Sequence, residues 1–383
     1  MPLNWGRRIK DDVPRLNKKT GLFLRTDLML RCRSAQARGT MSMTIPPIPF
    51  DARVPANLVH KRDKSEVFPR ALVHARQDEM WAGVRWPAQH RLYRPGAHSV
   101  DSYLIIETIR QLTILACHEH YATPLDAHFL MSAIGTTIQP SEGHRVTLGK
   151  NIAVHLRGAS PRFAPDGSLR HVRIEATFFC EDGQPFATGY GDARIVTSGL
   201  YARVRSGRTT TVSGGPAHAP GTAWEPHRVG HSEQSSVVVS RNSSNDTFAL
   251  ALDLNDTTLF DHPLDHIAGM IPVEAARQIL RLISDDPHAE ISSSYFEFNR
   301  ALEFGSPITV IVDSTHSTID LSFQQDDATA VTAHLIPAIE RPCSLGSTRR
   351  SVHESHPADS RALLLAEQIA TTHECAGSDL LAR

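Results

Sequence analysis

The chain has 383 residues, of which 40% are hydrophobic and 21% are charged, and its formal net charge is −1. These values are typical of a globular protein of two or three domains, and they favour neither a nucleic-acid partner nor a membrane surface. The sequence contains no apolar run of the roughly 20 residues that span a bilayer, and its five cysteines include no C-x-x-C pair. The composition therefore predicts a cytoplasmic protein, and no motif suggests a metal or a cofactor.

The N-terminal region, residues 1–53, differs in charge from the rest. Residues 1–40 contain ten Lys or Arg against three Asp, and they lack the apolar core of a secretory signal. Two interpretations stay open: a basic extension without fixed structure, or a translation start placed too early, since Met41 and Met43 directly precede the first segment that looks folded.

The next region, residues 54–205, has the pattern of one small domain. Its longest apolar stretch, around residues 100–121, predicts a helix buried on all sides. A strand and loop are expected at residues 59–68, and a loop or hairpin at 81–95. Asp166-Gly167 and Asp182-Gly183 predict tight hairpins between strands. Four strands are expected after the helix, at residues 128–138, 146–156, 169–180 and 185–196.

A Gly-, Ser- and Pro-rich linker is predicted at residues 206–225, and a second domain at 226–340. Its central helix is expected to begin near residues 268–270, because Pro272 is tolerated only in a first helical turn. Residues 341–383 read as a tail with a candidate helix at 363–374. The strands expected in this domain lie at residues 235–240, 248–254, 290–302, 308–315, 318–323 and 328–337.

The two helices share one sequence pattern, E-x-x-R-Q. It occurs at Glu107, Arg110 and Gln111, and again at Glu274, Arg277 and Gln278, at an offset of 167 residues. The same offset relates His60 to His227, Ser65 to Ser232 and Glu66 to Glu233, which indicates a duplicated domain. One helix followed by antiparallel strands, twice over, predicts an α+β fold of two tandem hot-dog domains. Their sheets are expected to continue across the interface of an internal pseudo-dimer.

Two resemblances follow from these residues. Gly269 and Glu274-Ala275 are distantly similar to the hot-dog β-hydroxyacyl-acyl-carrier-protein dehydratases, although the histidine loop of this chain differs. A closer resemblance, over about residues 54–340, is to the A-factor (γ-butyrolactone autoregulator) biosynthesis family of actinobacteria. It rests on six short motifs: residues 59–62, 107–111, 128–131, 261–263, 265–266 and 269–278.

The closer resemblance implies an acyltransferase that moves a β-ketoacyl group from acyl carrier protein to the hydroxyl of dihydroxyacetone phosphate. The product would lead to a butyrolactone or furan signal. Neither a cofactor nor a metal is implied, and the expected assembly is a monomeric pseudo-dimer or a homodimer.

Such a transfer needs a base, oxyanion donors and a cation for the phosphate. Glu274, Arg277 and Glu107 are the predicted catalytic residues, with burial expected to raise the pKa of the glutamate base. The predicted substrate-binding residues are Arg110, Gln278, Gly269, Met270 and His262.

Other interpretations compete with this one. An i,i+3 Glu–Arg pair is usually structural, and a structural role is favoured for His60 and His227. The chain could instead be a hot-dog dehydratase or thioesterase, which would turn over without a phosphorylated acceptor. It could also be a non-catalytic regulator that binds an acyl ligand without turnover.

Overall fold

The computed structural model describes residues 44–93, 100–139, 149–206, 222–242, 247–261, 264–315 and 317–338. The predictions for residues 1–43 and for the tail after 338, including its candidate helix, lie outside these ranges. So do most of the predicted linker and the predicted substrate-binding residue His262.

The first half begins with two 3-10 turns, Ala56–Val59 and Lys64–Glu66, where the sequence had predicted an entering strand. That prediction is wrong because local bonds favour turns here. His60 has a left-handed φ of 51°, and the Asp63 carboxylate accepts a hydrogen bond from the Ser65 amide. The elements that follow are β1 (Pro69–Arg76), β2 (Glu79–Arg85), α1 (Ser102–Glu119), β3 (His128–Ile138), β4 (Asn151–Phe163), β5 (Leu169–Phe179), β6 (Pro185–Val196) and α2 (Ser198–Arg205).

The second half repeats this order. It contains 3-10 turns at Pro226–Val229 and Gln234–Ser236, the second of which replaces the start of a predicted strand. The helix α3 begins at Met270, as predicted, with Pro272 in its first turn. The elements are β7 (Thr222–Ala223), β8 (Val239–Asn242), β9 (Thr247–Leu250), α3 (Met270–Ile283), β10 (Ile291–Phe298), β11 (Thr309–Ser314), β12 (Ile319–Gln325) and β13 (Ala328–Pro337).

The strands of the described ranges form one antiparallel sheet of thirteen, ordered β1-β2-β4-β5-β6-β3-β10-β13-β12-β11-β9-β8-β7. The two halves meet where β3 pairs with β10, with Ile134 opposite Phe296. Read outward from that junction, β3-β6-β5-β4-β2-β1 mirrors β10-β13-β12-β11-β9-β8. The predicted α+β fold of two tandem hot-dog units with a continuous sheet is therefore confirmed.

The two helices are buried inside the curved sheet. On α3, the residues Ile271, Ala275 and Ile279 recur at helical spacing and are all fully buried. Helix α1 is capped by Asp101, whose carboxylate accepts a hydrogen bond from the Leu104 amide at 3.1 Å. One hydrophobic core runs through both halves, so the two units share a single interior.

Glycines set two details of this packing. Gly167 and Gly183 adopt a φ of 81° in the turns that join β4 to β5 and β5 to β6, which confirms both predicted hairpins. Gly191 on β6 lets α1 approach closely, because a Cβ atom there would lie 2.4 Å from the Thr113 hydroxyl.

Polar contacts also join the halves. Arg91 of the first half is hydrogen-bonded to Asp256 and, at 2.8 Å, to the Ser236 hydroxyl of the second. Asp101 of the first half accepts a hydrogen bond from Arg277 of the second at 2.7 Å. Among the described segments, no helix is long and apolar enough to cross a membrane.

Candidate active site

A cavity of about 1040 Å³ lies between the two halves of the chain. We call it the shared cavity, because neither half encloses it alone. Its wall combines apolar side chains with ionisable ones, as expected of a site that holds an acyl chain and a polar head. The lining includes Lys61, Tyr103, Glu107, Arg110, Phe129 and Met131 from the first half, and Leu264, Asp265, His266, Gly269, Met270, Phe298 and Arg300 from the second.

The first polar group on this wall is the α1 cluster, formed by Lys61, Glu107, Arg110 and Gln111. Arg110 donates two hydrogen bonds of 2.8 Å to the Glu107 carboxylate, one to each oxygen. Gln111 donates a third at 2.8 Å, and the Lys61 ammonium lies 3.2 Å from the same oxygen. The side chains of Lys61 and Arg110 stay 10% and 20% exposed, so this cluster is open to the cavity.

The second group is the α3 cluster, formed by Asp101, His231, Glu274, Arg277 and Gln278. Glu274 accepts hydrogen bonds from His231 at 2.7 Å, from Gln278 at 2.8 Å and from Arg277 at 2.7 and 3.0 Å. Arg277 is also bound by Asp101 and by the Leu92 carbonyl. The side chains of Glu274 and Arg277 are at most 1% exposed. None of the five residues lines the shared cavity.

The two clusters are built by the same local geometry. Gln111 bonds the Phe68 amide and the Glu66 carbonyl, and Gln278 bonds the Val238 amide and the Ser236 carbonyl in the same way. These equivalent positions are 170 residues apart, whereas the helices themselves are offset by 167.

The predicted pairing of His60 with His227, Ser65 with Ser232 and Glu66 with Glu233 is therefore wrong by three residues. The left-handed residue that ends the first 3-10 turn is His60 in one half and Gly230 in the other. The basic residue that follows it is Lys61 beside Glu107 and His231 beside Glu274. The first half has three more residues between its turns and its helix, and a single offset cannot describe both.

The electrostatics correct a second expectation, that burial raises the pKa of a glutamate base. Burial opposes ionisation of Glu107, but the charges of Arg110 and Lys61 outweigh it and hold its pKa well below the ordinary value. For Glu274, burial is likewise outweighed by Arg277 and His231, which lower its pKa to about 2. Both carboxylates are ionised at neutral pH, which suits orientation and charge balance better than proton abstraction.

The loop before α3 also lines the cavity. Asp265 accepts hydrogen bonds from His266 Nδ1 at 2.6 Å, from the Tyr201 hydroxyl at 2.7 Å and from Arg205 Nε at 2.9 Å. Arg205 is buried and also bonds Glu303 at 2.8 and 2.9 Å. The loop conformation is thus fixed by α2, which follows the last strand of the first half.

The loop ends at Gly269, whose lack of a side chain leaves the start of α3 without a side-chain cap. Gly269 and Met270, both predicted to bind substrate, line the shared cavity. Uncapped amides at a helix N-terminus can stabilise negative charge. The space beside Gly269 is filled by Met131, whose Cε lies 2.7 Å from where a Cβ would be.

The predicted site residues thus separate into two sets. Glu107, Arg110, Gly269 and Met270 meet at the shared cavity, whereas Glu274, Arg277 and Gln278 lie in the sealed α3 cluster.

Sequence reasoning missed three other residues around the cavity: Lys61, Tyr201 and Arg205. Lys61 lies within a motif that the sequence did single out, residues 59–62. No helix was predicted at α2, so no signal pointed to Tyr201 or Arg205. Within the described residues, no group of three or more His, Cys, Asp or Glu side chains is arranged to hold a metal ion.

Comparisons with known proteins agree with this architecture. The model of the A-factor biosynthesis hotdog domain matches the chain twice, at residues 44–197 and 217–336. A 2-oxo-3-(phosphooxy)propyl 3-oxoalkanoate synthase from Streptomyces coelicolor is 31% identical over 264 residues, covering 66% of this chain and 80% of that protein. The synthase of the same name from Streptomyces virginiae is 26% identical over 282 residues, covering 72% and 94%.

Among solved structures, an acyl-ACP thioesterase from Bacteroides thetaiotaomicron is similar, with 8% identity and a TM-score of 0.41 over 68% of this chain and 98% of that one. The 12:0-ACP thioesterase from Umbellularia californica has 11% identity and a TM-score of 0.40, covering 69% and 99%.

Proposed function

The chain belongs to the A-factor biosynthesis hotdog family, and we propose that it transfers a β-ketoacyl group from acyl carrier protein to the hydroxyl of dihydroxyacetone phosphate. The relatives' name describes the ester that this reaction makes, a 3-oxoalkanoate joined to a 2-oxo-3-(phosphooxy)propyl group. The observation that carries the proposal for this chain is the shared cavity, which places an apolar wall beside the cationic side chains of Lys61 and Arg110.

We assign the reaction to the α1 cluster rather than to the α3 cluster. The two have the same E-x-x-R-Q residues, but Lys61, Glu107 and Arg110 of the α1 cluster line the shared cavity, and no residue of the α3 cluster does. Every hydrogen bond of Glu274 is used within the protein, and Asp101 occupies Arg277. In this assignment the α3 cluster stabilises the pseudo-dimer, and Glu274, Arg277 and Gln278 do not touch substrate.

Within the α1 cluster, Lys61 and Arg110 supply positive charge for the phosphate of the acceptor. Arg110 binds Glu107 through Nε and Nη2, and among the described residues its Nη1 has no hydrogen-bond partner. A guanidinium held in this way keeps a fixed direction toward the cavity. Glu107 stays ionised and holds both cations in place.

The oxyanion of the tetrahedral intermediate is stabilised at the start of α3. The N-terminus of α3 lines the cavity at Gly269 and Met270 and carries no side-chain cap. Helix amides directed at a developing oxyanion lower the barrier to acyl transfer. The apolar residues Phe129, Met131 and Phe298 surround the acyl chain. One chain supplies every lining residue named here, which supports a monomeric pseudo-dimer as the active unit.

The experiment is mass spectrometry of purified protein mixed with β-ketoacyl-acyl carrier protein and dihydroxyacetone phosphate. The expected product is the β-ketoacyl ester of dihydroxyacetone phosphate, formed with release of carrier-protein thiol. A mixture without the acceptor serves as the control, and Glu107→Gln is the matched variant. Release of free β-keto acid without acceptor would indicate a thioesterase instead. No turnover over several chain lengths would favour a ligand-binding regulator.

A further inference from the structure

We infer that His266, oriented by Asp265, is the general base that removes the hydroxyl proton of the acceptor. This inference rests on the proposed acyl transfer and adds the residue which that reaction lacks. The ionised Glu107 is a poor proton acceptor because both of its oxygens already receive hydrogen bonds from cationic or amide groups. Lys61 is ion-paired, and burial raises the pKa of Tyr93 and Tyr103 well above 10, so both phenols stay protonated.

The imidazole of His266 has the geometry of a prepared base. Its Nδ1–H donates to the Asp265 carboxylate at 2.6 Å, which fixes the neutral tautomer with the lone pair on Nε2. Across the described residues, Nε2 has no hydrogen-bond partner. The side chain is 26% exposed and lines the shared cavity, which Glu107 and Arg110 also line.

The Asp265 carboxylate accepts hydrogen bonds from three side chains. It accepts one hydrogen bond from the Tyr201 hydroxyl at 2.7 Å and one from Arg205 Nε at 2.9 Å, in addition to the one from His266. Burial alone would raise the pKa of Asp265, but hydrogen bonds from His266 and Tyr201 outweigh it and lower the value to about 2. A permanently ionised carboxylate at Nδ1 stabilises the imidazolium that forms when Nε2 accepts a proton.

The charged and titratable groups around His266 come from several elements. Asp265 shares its loop, Tyr201 and Arg205 come from α2, and Glu303 follows β10. Arg205 is paired with Glu303, and Asp265 is the charged group that contacts the imidazole directly.

Two other described histidines line the cavity, His60 and His128, and the His128 ring is stacked on Tyr201 with 3.9 Å between ring centroids. The rival base is His60. Its Nε2 lies 3.0 Å from Nε2 of His118, whose Nδ1 donates to the Thr123 carbonyl at 2.8 Å. In that relay one imidazole contacts another, whereas the imidazole of His266 contacts the Asp265 carboxylate. His60 is therefore the comparison residue in the test.

The acceptor O–H proton moves to Nε2 of His266 while the oxygen bonds to the thioester carbonyl carbon. The tetrahedral oxyanion, next to the start of α3, collapses with cleavage of the C–S bond. The imidazolium then returns its proton to the sulfur, which gives an ester and the free carrier-protein thiol.

The test measures the pH dependence of kcat/KM for ester formation in the wild type and in His266→Asn. The asparagine amide can still donate to Asp265 but cannot act as a base. We expect the wild-type rate to fall at acidic pH, where a general base loses its free lone pair. We expect His266→Asn to lose roughly 100-fold or more of kcat, with a small change in KM, and to lose that acidic limb. Added imidazole is expected to restore part of the rate of His266→Ala.

The other outcomes overturn either this inference alone or the proposed acyl transfer with it. A His266→Asn variant that keeps both kcat and the acidic limb, or a His60→Gln variant that loses the limb, overturns the inference but leaves the acyl transfer standing. If the wild type forms no ester, the proposed function and this inference both fall. Should His266→Asn not fold, Tyr201→Phe removes one donor to Asp265, and an acidic limb that does not move in that variant also overturns the inference.

Discussion

The strongest prediction compares the two equivalent glutamates through the isosteric variants Glu107→Gln and Glu274→Gln. Glu274 is fully buried and accepts hydrogen bonds from His231, Arg277 and Gln278. Neutralising it leaves Asp101 as the carboxylate that is hydrogen-bonded to Arg277. Breaking one side of a buried ion pair costs roughly 3–5 kcal/mol of unfolding free energy. Glu107 makes similar bonds, but Lys61 and Arg110 lie at the cavity, where water can replace them, so we expect a loss of about 1–3 kcal/mol.

Activity is expected to change in the opposite order. Glu107→Gln releases the two cations of the proposed phosphate site and should reduce kcat/KM by roughly 100-fold, about 2.7 kcal/mol of transition-state stabilisation. Glu274→Gln should keep kcat within a small factor at temperatures where it is folded, because it does not touch the cavity.

Urea unfolding and ester formation, measured on the same preparations, test both statements. The assignment to the α1 cluster fails if folded Glu274→Gln is inactive while Glu107→Gln retains its rate. A Glu107→Gln variant that is active and as unstable as Glu274→Gln would indicate that both clusters are structural.

Three further predictions concern other parts of the molecule. Burial raises the pKa of Glu290 from 4.5 to about 7. The unfolding free energy that the protonated Glu290 side chain contributes is therefore fully present below pH 4.5 and is lost as pH rises through 7. Glu290→Gln should remove this dependence, on the order of 3 kcal/mol, from unfolding curves recorded between pH 5 and 8. Gly191→Val should lower the free energy of unfolding by about 1–3 kcal/mol, because the valine side chain would overlap Thr113. Thermal unfolding of this variant measures the loss, with Gly199→Val at an exposed position as the control. Met131→Ala should shift the preference of the enzyme toward longer acyl chains, because Met131 fills the space beside Gly269, and unchanged relative kcat/KM over a series of chain lengths would contradict this.

The sequence by itself determined the fold to a large extent. Three kinds of local signal predicted elements that the structure confirmed: the apolar stretch of α1, the proline in the first turn of α3, and the hairpin glycines Gly167 and Gly183. Each of them acts through neighbours in the chain. The E-x-x-R-Q pattern is also local, since residues three and four apart on a helix share one face. Its recurrence in the second helix predicted the duplication.

What only the tertiary structure decided is which of the two repeated clusters meets a cavity. Glu107 and Glu274 have the same local sequence, and they differ because Asp101 from the other half binds Arg277, whereas Arg110 faces an open space. The shared cavity is lined by the helix of one half and by the loop of the other, whose residues are about 160 positions apart. Local patterns carry no information on this arrangement, because it depends on how the two units pack across the β3–β10 junction.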